Sequence, residues 1–222
     1  MSAFIKPSLV FASLLILSGC GTLVVNANSN QEGRDLDSVF GGIEVGKNSV
    51  VGDLSSVNGG IDISSGATAE DVETVNGGIE IGDDVSIDSA ETVNGGIEAG
   101  KNLSVNKSLE TVNGGIRLGV SSKVNGSVIT VNGDIRIPNG IVDRNVETIN
   151  GDVHITDQSM VHGDLIIGKS SGIFSSWSDE KISINIDEDS QVKGTIHLYK
   201  KVELNISKNA IIGAIEKHYL RE

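Results

Sequence analysis

The sequence predicts an all-β protein folded as a three-sided parallel β-helix, a β-solenoid with about 18–19 residues per coil. Three observations lead to this fold class: a short internal repeat, glycine-rich turns within each copy, and aliphatic residues spaced two and six apart. The chain has 222 residues and 28 glycines, about 13% against an ordinary usage of about 7%. One Trp, two Tyr and four Phe are too few to fill a core, so the core must be aliphatic.

The repeat is marked by segments that begin Val-Asn-Gly or a close variant. The clearest copy, VNGGIEIG, begins at Val75, and successive copies are 18 or 19 residues apart. Such a unit is too short for two packed helices, which need about 33 residues, and its Asn-Gly and Gly-Gly pairs break helices. The copies begin at Val39, Val57, Val75, Val93, Val112, Val131 and Ile149.

The apolar residues of one repeat indicate three short strands. Pairs such as Ile79 and Ile81 alternate with polar residues, as in a half-buried strand, and a spacing of six divides eighteen into three. One coil alone cannot bury its Val and Ile side chains, so coils must stack, each strand pairing in parallel with its copies. The apolar positions of this repeat are Val75, Ile79, Ile81, Val85, Ile87 and Val93.

The asparagines of the repeat are predicted to stack into a ladder at one corner of the coil. Stacked Asn side chains can hydrogen-bond along the axis at a spacing of roughly 4.8 Å. Asn also tolerates the left-handed backbone that we expect a corner to need. A calcium-binding turn is the alternative, but it requires Asp at nine-residue spacing, which is absent. The predicted ladder is Asn58, Asn76, Asn94, Asn113, Asn132 and Asn150.

A second column is charged and occupies the outward position between two inward residues of one strand. Residues 39–111 hold 13 acidic and 3 basic residues, net −10, whereas 112–222 hold 14 and 12, net −2. Like charges on adjacent strands repel. The acidic part is therefore either a solvated face or one end of a polar axis suited to assembly or to bridging by divalent cations. The acidic positions are Glu44, Asp62, Glu80 and Glu98, and Arg117, Arg136 and His154 follow them.

The first residues have the pattern of an export signal. Lys6 precedes an apolar run over 9–17, too short for a comfortable membrane span. The following Leu17-Ser18-Gly19-Cys20 resembles the lipobox of bacterial lipoproteins. The resemblance implies export, lipid attachment to Cys20, cleavage before it and acylation of the new amine. Gly21, where an Asp often signals inner-membrane retention, implies an outer-membrane anchor and a protein facing the periplasm. The alternative is an uncleaved hydrophobic helix followed by an idle or buried Cys.

One segment near the C-terminal end of the repeat region does not match the repeat. Residues 169–181 fit no coil and predict an excursion loop with two aromatic residues, Phe174 and Trp177. We favour a loop that caps the last coils, because open solenoid ends expose unpaired strand edges; a contact with membrane, glycan or protein is the alternative. A capped protein should polymerise weakly or not at all.

The predicted segments are a signal peptide at 1–19, a lipidated tether at 20–38, the β-helix at 39–215 and a tail at 216–222.

The repeat resembles that of bactofilins, bacterial polymer-forming proteins built as a compact three-sided β-helix. The shared Val-x-Gly-x-Ile/Val pattern covers about 39–215, although typical bactofilins are cytoplasmic and this chain looks exported and lipidated. The chain looks closer still to a group of uncharacterised proteobacterial envelope proteins with Thr-Val-Asn-Gly-Gly-Ile arrays and a Trp-bearing loop, for which no activity is established. The pattern is found at Val51-Gly52-Asp53-Leu54, Val124-Asn125-Gly126-Ser127-Val128, Val161-His162-Gly163-Asp164-Leu165 and Val192-Lys193-Gly194-Thr195-Ile196.

A weaker resemblance is to hexapeptide acyltransferases, which also place an aliphatic residue every six positions and use a catalytic His at a subunit interface. Their acyl donors are not expected in the periplasm. None of the four histidines here, His154, His162, His197 and His218, has a recognisable acidic partner in sequence. His154 and His162 are eight residues apart and could form a metal pair, but surface positions on a solenoid are the favoured interpretation.

These observations predict a non-catalytic, lipid-anchored structural, scaffold or interaction protein without cofactor or metal. The motifs of nucleophilic, phosphate-binding and dinucleotide-binding enzymes are absent. A net charge of −13 disfavours nucleic acid as a partner. Self-association or an envelope protein or glycan is expected instead. The alternatives are a monomeric module that binds a glycan, cation or protein on one face, and, more remotely, a hexapeptide-type acyltransferase.

Overall fold

The described residues form one stack of short parallel strands arranged in three sheets, which confirms the predicted three-sided parallel β-helix. The computed structural model of the chain describes residues 22–25, 33–168 and 181–219. We name the sheets in the order in which a coil visits them. Two sheets contain ten strands and the third contains seven, and every described pairing is parallel between neighbouring coils.

The first sheet consists of Leu36–Phe40, Leu54–Asn58, Asp71–Thr74, Ser89–Asn94, Leu109–Asn113, Val128–Asn132, Val146–Thr148, Leu165–Ile167, Ile196–Leu198 and Ile215–Lys217. The second sheet consists of Leu23–Val25, Ile43–Val45, Ile61–Ile63, Ile79–Ile81, Ile97–Ala99, Ile116–Arg117, Ile135–Pro138, Val153–Thr156, Ser183–Ile186 and Glu203–Ile206. The third sheet consists of Ser86–Ile87, Ser104–Val105, Lys123–Val124, Ile141–Val142, Met160–Val161, Gln191–Val192 and Ile211–Ile212.

The core is a single aliphatic column that runs along the axis of the stack. In the described part of the chain its buried hydrophobic residues are Ile, Val, Leu and Ala, with no aromatic side chain. In the second sheet Ile79 and Ile81 are buried, Glu80 between them is exposed, and Ile79 pairs with Ile97 of the next coil. The alternation predicted for this strand is therefore present, and identical residue types stack on one another.

One inward position of the first sheet is polar, which the aliphatic pattern did not reveal. Thr74 is buried, whereas Val75 next to it is only half-buried, so the inclusion of Val75 among the core-forming positions is wrong. The Thr74 hydroxyl donates a hydrogen bond of 2.8 Å to the carbonyl oxygen of Gly59 in the preceding coil. This bond removes the cost of burying an unpaired hydroxyl. The same bond is made by Thr92, Thr111, Thr130 and Thr148.

The first glycine of each Asn-Gly-Gly turn is required by the close approach of successive coils. A Cβ atom at Gly77 would overlap the backbone of Gly59 in the coil before it. A Cβ atom at Gly78 would come no closer than 3.4 Å to any atom, an ordinary contact. The repeat reflects this difference, because the second glycine is replaced by Asp134 and Asp152 in two later coils, whereas the first is retained.

The left-handed backbone lies at a different corner from the one predicted. The ladder asparagines have no positive φ, and several of them, such as Asn94, end a strand of the first sheet. Apart from Gly33 and Gly41, the positive-φ residues of the described chain lie where it passes from the second sheet to the third. The expectation that the ladder asparagines adopt this backbone is therefore wrong. The positive-φ residues there include Asn48, Gly66, Asp84, Asn102, Ser121, Asn139, Asp157 and Asp189.

The described strands extend beyond the predicted β-helix at both ends. Within the predicted tether, Leu23–Val25 pairs with Ile43–Val45, and Leu36 begins a strand of the first sheet. At the other end, Glu216 and Lys217 of the predicted tail belong to the last strand, Ile215–Lys217. Both segments pair with a neighbouring coil although they lack the full repeat, and the paired residues are apolar in the N-terminal segment and charged in the tail. No helix long and apolar enough to cross a membrane occurs in the described ranges.

The C-terminal coil leaves part of the core column uncovered. Ile215 pairs with the buried Ile196 and occupies the same inward position, yet 38% of its surface is exposed. Leu204, Ile206 and Ile212 pack on the core but are only partly buried. The described chain has no further coil to cover them.

We predict that Gly77→Ala destabilises the protein by about 1–3 kcal/mol or more, because the added methyl group overlaps the backbone of the neighbouring coil. Gly78→Ala is the matched control and should change the free energy of unfolding by well under half of that. Urea denaturation followed by circular dichroism measures both. Equal losses of stability in the two variants would contradict the assignment of the first glycine as the close-approach position.

Candidate functional site

The six predicted ladder asparagines stack in one continuous column. Asn58 Nδ2 donates to the backbone carbonyl oxygen of Val39 at 3.3 Å. From Asn76 onward, each side-chain amide donates to the side-chain oxygen of the asparagine in the preceding coil, for example 3.0 Å from Asn76 Nδ2 to Asn58 Oδ1. The following bonds, made by Asn94, Asn113, Asn132 and Asn150, are 2.8–3.0 Å long. At the last rung the Lys200 ammonium donates to Asn150 Oδ1 at 2.8 Å. The column links six coils by polar bonds along its exposed corner.

The charged column predicted on the second sheet is also in register. Glu44, Asp62, Glu80 and Glu98 pair with one another in succession, and Arg117, Arg136 and His154 continue the column. The sign changes between Glu98 and Arg117, where an ion pair of 3.4 Å joins the two strands.

An open depression of about 230 Å³ lies where the sign changes. Its charged lining consists of Glu98, Arg117, Asp134 and Arg136, and Arg136 Nη2 lies 3.5 Å from Asp134 Oδ2. The depression therefore combines two carboxylates and two guanidinium groups. Such a lining suits hydrogen bonding to a polar ligand such as a glycan.

A second acidic column runs along the outward positions of the first sheet and was not singled out from the sequence. Glu73, Glu91 and Glu110 pair in register on three successive coils, and Glu147 lies two coils beyond Glu110. Partial burial raises the pKa of each of these carboxyl groups, and like charges contribute: Glu110 and Glu73 raise the pKa of Glu91 further. The recurring Glu-Thr pair was the available signal, with Thr inward and Glu outward.

The four histidines occupy two kinds of environment. His154 continues the second-sheet column between Arg136 and Asn185. His162 lies elsewhere, with Nδ1 at 2.8 Å from Asp143 Oδ1 and Nε2 at 2.9 Å from Met160 Sδ. His154 and His162 are thus found on different faces, and the structure does not bring them together as a pair.

The other two histidines meet at the C-terminal end of the first sheet. His197 is outward on Ile196–Leu198 and pairs with Glu216, and His218 follows the last strand. The ring atoms His197 Nδ1 and His218 Nε2 are 3.1 Å apart. Sequence analysis missed this cluster, although Glu216 lies 19 residues after His197, which is one repeat length.

Three residues of interest lie outside the described ranges. These are the predicted lipidation site Cys20 and the two aromatic residues of the excursion loop, Phe174 and Trp177. The loop assignment ends at Lys181, which is described and lies 3.7 Å from Glu203 in an ion pair.

Comparisons of the chain with known protein families, with curated proteins and with solved structures find no match.

The raised carboxyl pKa values predict a stability that increases in mild acid. Folding raises the pKa of such a carboxyl group above the ordinary 4.5, so the group favours folding most when the pH is below 4.5. This contribution to stability is lost as the pH rises through the folded-state pKa. Glu91→Gln should therefore stabilise the protein at pH 7 by about 0.2–1 kcal/mol, because it removes one charge of the column. Thermal unfolding at pH 7 and pH 5 measures this effect.

The control is Glu80→Gln on the exposed column of the second sheet, where no burial opposes the charge. The gain from Glu91→Gln should shrink between pH 7 and pH 5, whereas the effect of Glu80→Gln should be smaller at both. A gain from Glu91→Gln that grows in acid would contradict the prediction.

Proposed function

We propose that the chain is a non-catalytic structural protein of the cell envelope, anchored by lipid at Cys20 and self-associating through its C-terminal coil. The observation that carries the proposal is the uncovered end of the stack. There, Ile215 occupies a core position and is 38% exposed, while the residues it pairs with and those before them are fully buried.

The uncovered end offers two complementary surfaces to a partner. Among the described residues, the last strands, Glu203–Ile206, Ile211–Ile212 and Ile215–Lys217, are each paired on one side only. Their free N–H and C=O groups are a template for another strand. Apolar atoms of Leu204, Ile206 and Ile212 lie between these edges.

A second copy of this chain is the occupant that fits this end. Within the protein, every earlier coil is covered by a coil of the same three-sided outline, and only another solenoid end has that outline. Two C-terminal ends also meet with little net repulsion, since residues 112–222 carry −2 and 39–111 carry −10. A contact between two C-terminal ends is two-fold symmetric and closes, which gives a dimer and not a filament.

The proposed anchor lies at the opposite end of the stack. The strand Leu23–Val25 pairs with the first complete coil, so the chain leaves the solenoid near its N-terminal end. With lipid on Cys20, the rod would extend from the outer membrane towards the periplasm and present its C-terminal coil away from the bilayer. Several acyl chains are needed for firm anchoring, as the lipoprotein resemblance implies.

The anchor is tested by Cys20→Ser. We expect this variant to lose lipid labelling in cells fed radioactive palmitate and to move from the membrane fraction to the soluble fraction. Ser18→Ala, a small-residue change before the cleavage point, should retain labelling and serves as the control. Membrane retention of an unlabelled Cys20→Ser protein would refute the lipid anchor.

The self-association is tested by Ile215→Lys in the full-length protein in detergent, using sedimentation equilibrium and small-angle scattering. The native protein should form a dimer about twice as long as the monomer. The ammonium group buried at the contact should weaken dimerisation by about 100-fold or more. The matched control is Ile141→Lys, which is 39% exposed on the side of the solenoid and should leave the dimer intact.

Two outcomes would overturn the contact. One is a native protein that stays monomeric at high concentration and dimerises only after deletion of 170–180, which would make that segment the occupant. The other is equal weakening by the two lysine variants. Circular dichroism of Ile215→Lys checks that the loss of dimer is not a loss of fold.

A monomeric binding module is the second candidate function. It is favoured by the depression at Glu98, Arg117, Asp134 and Arg136, whose carboxylate and guanidinium groups suit a polar glycan. Binding of soluble envelope glycan fragments that is lost in Arg117→Ala, by a protein that remains monomeric, would support this function in place of the scaffold.

A further inference from the structure

We propose that His197, Glu216 and His218 form a binding site for a divalent transition metal ion, Zn²⁺, that clamps the last coil of the solenoid to the coil before it. The site needs neither the lipid anchor nor the proposed dimer to form, although Glu216 lies on the last strand, Ile215–Lys217, beside the proposed contact. It uses residues for which sequence analysis assigned no role.

The three ligand atoms form a triangle of the size that a tetrahedral zinc ion requires. His197 Nδ1 is 3.1 Å from His218 Nε2 and 3.4 Å from Glu216 Oε2, and His218 Nε2 is 3.7 Å from the same carboxylate oxygen. Ligands at about 2.0–2.1 Å from a tetrahedral metal ion lie about 3.3–3.4 Å from one another. All three atoms lie within 4.8 Å of one another, so small rotations of the side chains would complete the geometry.

The donor set also suits zinc chemically. Two imidazoles with one carboxylate are a common protein ligand set for Zn²⁺, whereas Ca²⁺ and Mg²⁺ prefer oxygen ligands alone. Glu216 and His218 are both exposed, so the fourth coordination position faces solvent and is open to water or to a ligand from outside.

A carboxylate and an aromatic ring lie next to the two imidazoles, the carboxylate within ion-pair distance but not within hydrogen-bond distance. Asp164 Oδ2 lies 3.7 Å from His197 Nε2, the ring nitrogen that does not face the cluster. A carboxylate behind a ligating imidazole orients the ring and increases its basicity. Asp164 is itself fixed, because its Oδ1 accepts a 2.8 Å hydrogen bond from the Thr195 amide. The ring of Tyr199 stacks on His218 at a centroid distance of 4.4 Å and an angle of 16°.

The position of the cluster gives it a structural consequence. His197 belongs to the strand Ile196–Leu198, whereas Glu216 and His218 belong to the end of the chain that pairs with it. A metal ion shared by these residues ties the coil with the most exposed core positions to a fully buried one. Metal binding should therefore suppress opening of the C-terminal coil and leave the middle of the solenoid unchanged.

The experiment is calorimetric titration of Zn²⁺ into full-length protein that carries no polyhistidine tag and has been treated with chelator. We expect one Zn²⁺ per chain with a dissociation constant in the micromolar range or tighter. His197→Ala and His218→Ala should each weaken binding by about 100-fold or more, and Asp164→Asn by about 10–100-fold. His162→Ala is the matched control, because His162 also faces a carboxylate at 2.8 Å, and should leave the affinity unchanged.

Hydrogen exchange gives a second reading that does not depend on the variants. Zn²⁺ should slow amide exchange at least tenfold in the strands Ile196–Leu198 and Ile215–Lys217 and leave Leu109–Asn113 unchanged. Co²⁺ in place of Zn²⁺ should give the intense visible bands of a tetrahedral site.

The proposal is overturned if the native protein binds no Zn²⁺ at micromolar concentrations, which would leave a hydrogen-bonded histidine pair. It is also overturned if the double variant His197→Ala/His218→Ala binds Zn²⁺ as the native protein does. Uniform protection of all strands would likewise indicate metal binding elsewhere.

Discussion

Every residue of this solenoid must be compatible with its own counterpart in the coils above and below, at the spacing of hydrogen-bonded strands. This constraint explains side-chain choices that otherwise look unrelated. Gly77 is glycine because the backbone of Gly59 lies where its Cβ would be. Thr74 is buried because its hydroxyl reaches a carbonyl of the preceding coil. The ladder asparagines recur because an amide is both donor and acceptor, so identical side chains can bond to each other without limit.

The same constraint is unfavourable for charge, because a repeated carboxylate always meets another one. The two acidic columns respond differently. Glu44, Asp62, Glu80 and Glu98 point into solvent, and the column then changes sign with an ion pair between Glu98 and Arg117. The glutamates of the first sheet are half-buried, and burial together with their neighbours raises their pKa. Apolar side chains interrupt this second column at Ile129 and Ile166.

At the ends of the stack a residue has a counterpart in only one neighbouring described coil. The zinc-site residues and the proposed self-association surface lie at one of these ends. The column that carries Glu73 and Glu91 in the middle of the protein carries His197 and Glu216 at the end. At the same end the inward position held by Ile196 is repeated by Ile215, which no described coil covers. A repeat protein can acquire new chemistry most easily in a terminal coil, since a change there disturbs one neighbour and not two.

The sequence by itself determined the repeat length, the three-sided fold, and the membership of the columns that hold Asn58 and Glu44, because a fixed period dictates which residues stack. Only the tertiary structure decided how far apart neighbouring coils and columns lie. It distinguished Gly77 from Gly78, moved the left-handed corner to positions such as Asn102, and turned Thr74 inward in place of Val75. It also showed that the ring of His218, which follows the last strand, lies 3.1 Å from that of His197. Periodicity predicts the direction of a side chain only where copies of the repeat stack on both sides of it, and no described coil stacks beyond the last strand.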